Sequence, residues 1–350
     1  MVMNVKGYAA LAVKEDLVPH NFVRRDPRED DVVIDILYSG VCHSDIHNAY
    51  NDWGGAKYPM VPGHEIIGRV VHVGKSVTKF KVGDLAGVGC MVDSCQHCSA
   101  CEQGLEQYCE EGNTLTYNDI DRHDGLPTFG GYSDKIVVTE KFVVKVPEGI
   151  DLRGAAPLLC AGITTWSPLR HWQVGEGSKV AVVGLGGLGH MAIKLANALG
   201  AEVTLFTRSP GKEADARRLG ASHVVLSTDS EQMKATANQF DLIIDTVPYV
   251  HDLNPYIPTL ALSGTLVLVG YLGALDPFLN TVPLILGRRS VAGSVIGGIA
   301  ETQEMMDFCG QHGITADVEV IDIQDINRAW QRMLKSDVKY RFVIDISSLK

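Results

Sequence analysis

Four cysteines lie close together in one short segment of the chain. Cys95, Cys98, Cys101 and Cys109 have the spacing C-x2-C-x2-C-x7-C, in a sequence with 8 cysteines among 350 residues. Chance alone would produce these spacings with a probability of roughly one in ten thousand. Four thiolates complete a tetrahedral zinc shell and leave no open position. The spacing therefore predicts a structural zinc site that holds a loop and takes no part in chemistry.

A second set of candidate metal ligands is spread along the chain. Cys42 and Cys160 are far apart in sequence, and His64 and Glu65 lie between them in a Pro-Gly-His-Glu segment. A catalytic zinc needs about three Cys or His ligands and one position for water or substrate. Cys42, His64 and Cys160 would supply these ligands, and Glu65 could occupy the fourth position when substrate is absent. Each residue taken alone would be interpreted as an ordinary buried or surface side chain.

A glycine-rich loop predicts a dinucleotide site. A buried strand is predicted at 179–183, and an amphipathic helix ends at Leu199. The loop that joins them consists of Gly184, Leu185, Gly186, Gly187, Leu188 and Gly189. In a Rossmann fold such glycines permit a tight turn, close approach of the pyrophosphate and close helix packing, and the helix N-terminus attracts phosphate. The motif alone is weak evidence, but a second predicted strand at 202–207 follows at the expected distance.

The end of that second strand predicts which nicotinamide cofactor binds. An acidic residue normally hydrogen-bonds the adenosine ribose at this point, but this chain has Thr207, Arg208 and Ser209, followed by Lys212. A carboxylate would repel a 2′-phosphate, whereas hydroxyl groups and a guanidinium can hold it. We therefore predict NADP(H) rather than NAD(H). The alternative is that Arg208 and Lys212 are ordinary solvated cations.

Together these residues resemble a known enzyme family. The chain is similar to the zinc-dependent medium-chain alcohol dehydrogenases, and within them to the cinnamyl alcohol dehydrogenase-like branch that includes bacterial aldehyde reductases. The resemblance covers nearly the whole chain. It rests on the four-cysteine segment, the glycine loop and the segments 40–45, 58–65, 157–162 and 338–345.

The resemblance implies specific roles near the catalytic zinc. Cys42, His64 and Cys160 would bind the metal, and Glu65 would be an exchangeable ligand. Asp45 would hydrogen-bond His64 and so define the tautomer and orientation of its ring.

Further residues match the relay and the cofactor contacts of the family. Ser44 and His47 resemble a proton relay in which a hydroxyl contacts the substrate oxygen and an imidazole passes the proton to solvent, a step for which histidine has a suitable pKa. His43 and Arg341 match positions that approach the cofactor pyrophosphate. Helix capping or surface polarity is the alternative for Ser44 and His47, and a nearby carboxylate is an alternative partner for Arg341.

The order of predicted elements agrees with the fold of that family. Short strand patterns separated by glycine turns continue to about residue 157, and strands then alternate with helices. We expect an α/β protein with a GroES-like, β-rich catalytic domain at 1–157 and 297–350, carrying a zinc lobe at about 90–112. A Rossmann domain with a doubly wound parallel sheet would occupy 158–296. The resemblance places the active site between the domains and suggests a homodimer through an edge strand near 289–295.

Composition and charge exclude several classes of protein. The chain has 31 basic and 42 acidic residues and 45% hydrophobic residues. It has no basic run, so nucleic acid is not an expected partner. Its apolar stretches are interrupted by glycine and serine, so we expect no membrane span, and the N-terminus has no signal-peptide pattern. We predict a cytoplasmic protein, where cysteines bind metal more often than they form disulfides.

Substrate identity is suggested by four residues. By comparison with plant members of the branch, Leu115 and Val295 replace larger aromatic residues, and Trp53 and Cys90 fall at other pocket positions. A wide apolar pocket discriminates weakly between substrates, because one methylene contributes only about 1–3 kcal/mol. We predict a broad-range reductase of aromatic and aliphatic aldehydes with two zinc ions and NADP(H). Leu115 and Val295 could instead be ordinary core residues.

Three alternative functions have the same fold. The chain could be an NAD(P)-dependent polyol or secondary alcohol dehydrogenase, a zinc-free quinone reductase, or a non-catalytic nucleotide-binding protein. The two predicted metal sites argue against a zinc-free enzyme. A non-catalytic protein would not require both Ser44 and His47.

Overall fold

The computed structural model describes residues 3–270 and 273–350. The chain divides into two compact units, Met1–Cys160 with Gly297–Lys350, and Ala161–Ile296. The sequence-based boundary lay after residue 157, whereas the first unit continues through Cys160. Within the described ranges, no helix is long and apolar enough to cross a membrane.

The strands and helices are numbered in chain order. The strands are β1 (Met3–Ala9), β2 (Val18–Arg24), β3 (Asp31–Val41), β4 (Ile66–Val73), β5 (Leu85–Val88), β6 (Met91–Asp93), β7 (Thr114–Leu115), β8 (Lys135–Thr139), β9 (Val144–Lys145), β10 (Lys179–Val183), β11 (Glu202–Thr207), β12 (His223–Leu226), β13 (Phe240–Asp245), β14 (Leu260–Leu268), β15 (Ser290–Gly293), β16 (Val318–Asp322) and β17 (Arg341–Asp345). The α-helices are α1 (His43–Ala49), α2 (Ser99–Glu102), α3 (Leu152–Ala155), α4 (Ala161–His171), α5 (Gly189–Ala198), α6 (Glu213–Leu219), α7 (Ser230–Ala235), α8 (Val282–Gly287), α9 (Ile299–His312) and α10 (Ile326–Leu334).

The first unit is organised around the long strand β3. The sheet order is β16-β17-β3-β4-β5-β9, and β8 also pairs with β3. β17 and β4 flank β3 and run antiparallel to it, with Phe342 opposite Val41 and Ile66 opposite Ser39. The end of β3 therefore lies beside the first residues of both neighbours. This register brings Cys42, Glu65 and Arg341 into one region.

The second unit contains a six-stranded parallel sheet. Its order is β12-β11-β10-β13-β14-β15, which is the 3-2-1-4-5-6 order of a Rossmann fold. The strands are continuous apolar runs because helices cover both faces of such a sheet, and Val180, Val182 and Ile243 are almost fully buried. The predicted α/β fold class is confirmed.

Local structure differs from the sequence-based expectation in two places. The sequence pattern at 142–146 predicts a strand, but only Val144–Lys145 (β9) forms one, soon after the 3₁₀ turn Glu140–Phe142. The pattern also predicts a strand that begins at residue 265, whereas β14 begins at Leu260. Ser263 and Gly264 interrupt the apolar residues at the start of this strand, so the hydrophobic pattern indicates a later start.

Candidate active site

Four candidate ligands meet at the end of β3. Cys42 follows β3 and is the N-cap residue of α1, His64 and Glu65 precede β4, and Cys160 follows the 3₁₀ turn Ala156–Leu159. Their ligand atoms all lie within 4.8 Å of one another. The sulfurs of Cys42 and Cys160 are 4.0 Å apart. All four residues belong to the first unit, so the fold of that unit alone assembles the cluster.

The donor set fits a catalytic zinc. Two thiolates and one imidazole are the ligand types that zinc prefers, and this combination is the one known for alcohol dehydrogenase. The Oε2 atom of Glu65 is buried without a hydrogen-bond partner. A hydrogen bond with Cys160 and the nearby charge of Arg341 hold the pKa of Cys42 well below its ordinary value. A thiolate is the form of cysteine that binds metal.

Glu65 forms a buried ion pair with Arg341. Its Oε1 atom accepts a hydrogen bond from the Arg341 guanidinium, and both side chains are at most 5% exposed. Burial raises the pKa of Glu65 to about 7, although Arg341 acts in the opposite direction. A Cβ atom on Gly40 would overlap Oε2 at 1.9 Å, so glycine is needed here. The sequence suggests either the cofactor pyrophosphate or a nearby carboxylate as the partner of Arg341. In the structure, Arg341 pairs with the carboxylate of Glu65.

Asp45 orients the imidazole of the cluster. Its carboxylate is fully buried, and its Oδ1 atom lies 3.2 Å from Nδ1 of His64. This contact selects the tautomer with the proton on Nδ1 and leaves Nε2 free to bind metal. The Ser44 hydroxyl lies 3.4 Å from Nε2, so it borders the metal site directly.

The two relay candidates lie on the same face of α1. Ser44 and His47 are three residues apart in this helix, which places them on neighbouring turns. Nδ1 of His47 contacts the Asp52 carboxylate at 2.9 Å, and its ring lies 5.1 Å from the Trp53 ring. Asp52 was not singled out from the sequence. Its only sequence signal is that it follows His47 by five residues in an exposed turn.

The four-cysteine lobe lies between β6 and β7. The ligand atoms of Cys95, Cys98, Cys101 and Cys109 are within 4.8 Å of one another. Backbone N–H groups point at these sulfurs, with Cys98 N 3.3 Å from the Cys95 sulfur and Glu110 N 3.4 Å from the Cys98 sulfur. The hydrogen bond from Glu110 lowers the pKa of Cys98 to about 6. Four convergent sulfurs fit a closed structural zinc site.

The glycine loop of the second unit has the geometry of a dinucleotide site. Gly184 has a φ of +90°, which favours glycine, and a Cβ on Gly189 would lie 2.1 Å from the Gly184 carbonyl. A Cβ on Gly186 would meet no atom of the described residues within 4 Å, which leaves space among them where a phosphate can approach. Gly187 and Leu188 complete the turn, and α5 begins at Gly189.

The residues that would select the cofactor lie at the end of β11. Thr207 is 7% exposed, and its hydroxyl accepts a hydrogen bond from Ser209 N at 3.1 Å. Arg208 and Ser209 are exposed, and Lys212 is partly exposed in the 3₁₀ turn that follows.

Comparisons with known proteins show which family the chain belongs to. Residues 28–148 match the alcohol dehydrogenase GroES-like domain, and residues 187–311 match the zinc-binding dehydrogenase domain. The chain is 52% identical over 348 residues to the aldehyde reductase YahK of Escherichia coli, covering 99% of each protein. The chain belongs to the zinc-dependent medium-chain alcohol dehydrogenases.

Solved structures of this family place the chain in one branch. A cinnamyl alcohol dehydrogenase from Sorghum bicolor superimposes with a TM-score of 0.94 at 46% identity, covering 99% of both chains. A CAD from Helicobacter pylori complexed with NADP(H) superimposes with a TM-score of 0.92 at 46% identity and the same coverage. The resemblance to the cinnamyl alcohol dehydrogenase-like branch is thereby confirmed.

The remaining predicted site residues of this dehydrogenase differ from one another in exposure and in their neighbours. Cys90 lies next to the candidate ligands of the catalytic metal, and a hydrogen bond with Cys160 lowers the pKa of Cys90. Leu115 is 41% exposed and Trp53 is 46% exposed, both in the first unit. Val295 is half exposed in the second unit. His43 is exposed at the start of α1, with its ring 6.4 Å from that of His47.

Proposed function

We propose that the chain is an NADP(H)-dependent zinc oxidoreductase that interconverts aldehydes and primary alcohols. The observation that carries the proposal is the cluster of Cys42, His64, Glu65 and Cys160, with the Ser44 hydroxyl 3.4 Å from the His64 ring. A second cluster of four cysteines supports a count of two zinc ions per chain. The relationship to YahK, which is named an aldehyde reductase, favours the same reaction class.

The residues of the chain would hold the metal and move the proton. When bound, zinc supplies a Lewis acid for the substrate oxygen, and the nicotinamide supplies or accepts a hydride. Cys42, His64 and Cys160 would hold the metal, and Glu65 would take the fourth position between turnovers. Ser44 is placed to donate a hydrogen bond to a substrate oxygen beside the metal ligands.

His47 and Asp52 would complete the proton path. His47 is partly exposed, so it can exchange protons with solvent. Its Nδ1 atom contacts Asp52, which leaves Nε2 available to receive or return a proton. The Asp52 carboxylate thus holds the Nδ1 side of the ring. Asp52 is therefore part of the proposed relay.

NADP(H) preference is inferred from the end of β11. Thr207, Ser209 and Arg208 offer two hydroxyl groups and a guanidinium, with no carboxylate that would repel a 2′-phosphate. His43 and the loop from Gly184 to Gly189 are proposed to contact the rest of the cofactor. The Helicobacter pylori relative was solved with NADP(H). Thr207→Asp should shift the ratio of kcat/KM values toward NADH, and an unchanged NADPH affinity would contradict the assignment.

A broad substrate range is inferred from apolar side chains. We propose that Leu115, Trp53, Cys90 and Val295 contact the substrate. Leu115, Trp53 and Val295 are apolar, so selection among aldehydes would rest on size and apolar contact. Discrimination by such contacts is modest.

The second unit offers a surface for a homodimer. β15 is an edge strand of the parallel sheet, and unpaired strand edges invite pairing with another chain. Phe278, Ile285 and Leu286 are exposed by 91%, 76% and 81%. We propose that two copies pair through this face, and light scattering on Leu286→Glu should report a monomer. The eight free cysteines are consistent with the cytoplasmic location that we propose.

One experiment tests the proposed function directly. The purified chain is assayed for kcat/KM with NADPH and NADH over aromatic aldehydes, aliphatic aldehydes and polyols, and zinc is counted per chain. We expect two zinc ions and the highest kcat/KM with NADPH and aldehydes. Activity confined to polyols would favour the polyol dehydrogenase alternative, and two zinc ions without turnover would favour a non-catalytic protein.

A further inference from the structure

The carboxylate of Asp45 accepts hydrogen bonds at both of its oxygens. Oδ1 accepts from Gly63 N at 3.2 Å and from the His64 ring at 3.2 Å. Oδ2 accepts from Cys42 N at 2.8 Å and from the Tyr132 hydroxyl at 3.0 Å. Three of these donors belong to metal ligands or to the residue beside one. Tyr132 comes from a separate segment and belongs to none of the motifs.

We propose that Tyr132 is a positioning residue for the catalytic metal site, acting on His64 through Asp45. The inference rests on the metal site of the proposed function. The Tyr132 hydroxyl holds one oxygen of the carboxylate while the other oxygen holds the imidazole. Tyr132 therefore determines how the carboxylate is turned toward His64, although it touches neither metal ligand through its hydroxyl.

The position of Tyr132 is determined independently of Asp45. The side chain is fully buried. Tyr132 N donates to Pro62 O at 2.9 Å, and Gly131 N donates to Gly63 O at 2.8 Å. The segment before β8 thus runs beside the segment that leads into His64. Because backbone hydrogen bonds fix this alignment, the hydroxyl is presented to Asp45 by the fold rather than drawn there by the carboxylate.

The ring of Tyr132 also packs on the backbone next to His64. Gly63 has a φ of +102°, and a Cβ at this position would lie 2.7 Å from Cδ1 of Tyr132. The ring therefore occupies the space that a side chain at position 63 would need. Phenylalanine would preserve this packing and remove only the hydroxyl.

The chemistry of the hydroxyl suits the role of a donor. Burial raises the pKa of Tyr132 well above its ordinary value, and the charge of Asp45 raises it further. The phenol consequently stays protonated and donates to the carboxylate. Loss of this donor would remove one of the hydrogen bonds that hold Oδ2. The carboxylate could then turn, and the His64 ring would lose part of its restraint.

The test measures metal release from the full-length chain. Wild type and Tyr132→Phe are loaded with zinc in the lobe and cobalt in the catalytic cluster, and a chromogenic chelator withdraws the metals. Partners that orient metal ligands typically affect metal affinity by about 10–100-fold. We expect catalytic cobalt to leave Tyr132→Phe about tenfold faster, with altered cobalt d–d bands. Zinc in the lobe should leave at the wild-type rate.

A matched control removes a buried tyrosine hydroxyl elsewhere. Tyr256 is 6% exposed in the second unit, and Tyr256→Phe should leave cobalt release unchanged. The proposal is overturned if cobalt release from Tyr132→Phe stays within twofold of wild type, whatever happens to its melting temperature. Equal acceleration at both metal sites would also overturn it, because that result indicates general destabilisation.

A second variant decides the matter if Tyr132→Phe does not fold. Tyr132→3-fluorotyrosine keeps the shape of the ring and makes the phenol a stronger donor. We expect slower cobalt release from this variant, in the direction opposite to that of Tyr132→Phe, and an unchanged rate would refute the proposal. Failure of the proposed function is distinguishable, because a wild-type chain that binds only one metal ion would contradict that function before any variant is compared.

Discussion

The four-cysteine lobe and the catalytic cluster lie in the same compact unit but collect their ligands differently. In the lobe, the first and last cysteines are 14 residues apart. In the catalytic cluster, Cys42 and Cys160 are 118 residues apart. Backbone N–H groups support the sulfurs of the lobe, whereas the side chains of Asp45 and Arg341 support the catalytic cluster. One site depends on local chain conformation and the other on the register of the sheet.

This difference explains what each metal can do. The lobe would present four thiolates, which would close the coordination shell and make the metal part of the fold. The catalytic cluster would present three strong ligands, and Glu65 already has a partner in Arg341. Glu65 would fill the fourth coordination position as an exchangeable ligand, so substrate can take that position in its place. Chemistry is therefore expected only where the ligands come from distant parts of the chain.

The largest expected effect follows from removing a catalytic ligand. Cys42→Ser should lower kcat/KM by about a thousandfold or more, because Lewis acid catalysis contributes several kcal/mol. The variant should retain one zinc per chain, since the lobe does not depend on β3. Kinetics with NADPH and metal analysis check both points. Cys309→Ala, at a buried cysteine of α9 outside both clusters, is the matched control and should keep two zinc ions.

Replacing a ligand of the lobe should have the opposite balance of effects, with a large loss of stability and little loss of activity. Cys101→Ser should lower the melting temperature by roughly 10 °C, because loss of a structural metal costs several kcal/mol. Activity per catalytic zinc, measured at low temperature, should stay within a few-fold of wild type. Calorimetry and assays on the same sample check this prediction. A loss of activity as large as that of Cys42→Ser would show that the two regions are not independent.

The same contrast explains how much could be predicted from the sequence. The lobe was predictable because its ligands share one short segment with a recognisable spacing. The glycine loop was predictable because strand, turn and helix are also local. Cys42, His64 and Cys160 were selected by residue type and by resemblance. They meet because β4 pairs with β3 and the 3₁₀ turn before Cys160 packs against both strands.

Contacts that depend on tertiary structure could not be predicted. Arg341 pairs with Glu65 because β17 and β4 flank the same end of β3, and no sequence pattern encodes that adjacency. Tyr132 was missed for the same reason, whereas Asp52 lies only five residues from His47 and was missed because a turn outside the motifs brings the two together. Each contributes through one hydrogen bond to a residue that the motifs do identify. Partners of motif residues are found only when the chain is folded.

Within the catalytic region, removing the relay hydroxyl should have a smaller effect than removing a metal ligand. Ser44→Ala should lower kcat by about a hundredfold, the lower end of the range for assisted proton transfer. Two zinc ions should remain, because Ser44 is not a ligand. Steady-state kinetics and metal analysis measure both quantities. Loss of the catalytic zinc would instead identify Ser44 as part of the scaffold of the site.

The smallest expected effect concerns the outer end of the relay. His47→Gln should lower kcat by about tenfold and Asp52→Asn by less, since solvent can replace a terminal proton acceptor. Asp52 acts through His47, so the double variant should lose no more activity than His47→Gln alone. A mutant cycle on kcat measures this coupling. Independent, multiplicative losses would mean that Asp52 contributes to the local turn rather than to the relay, and would confine the proton path to Ser44 and His47.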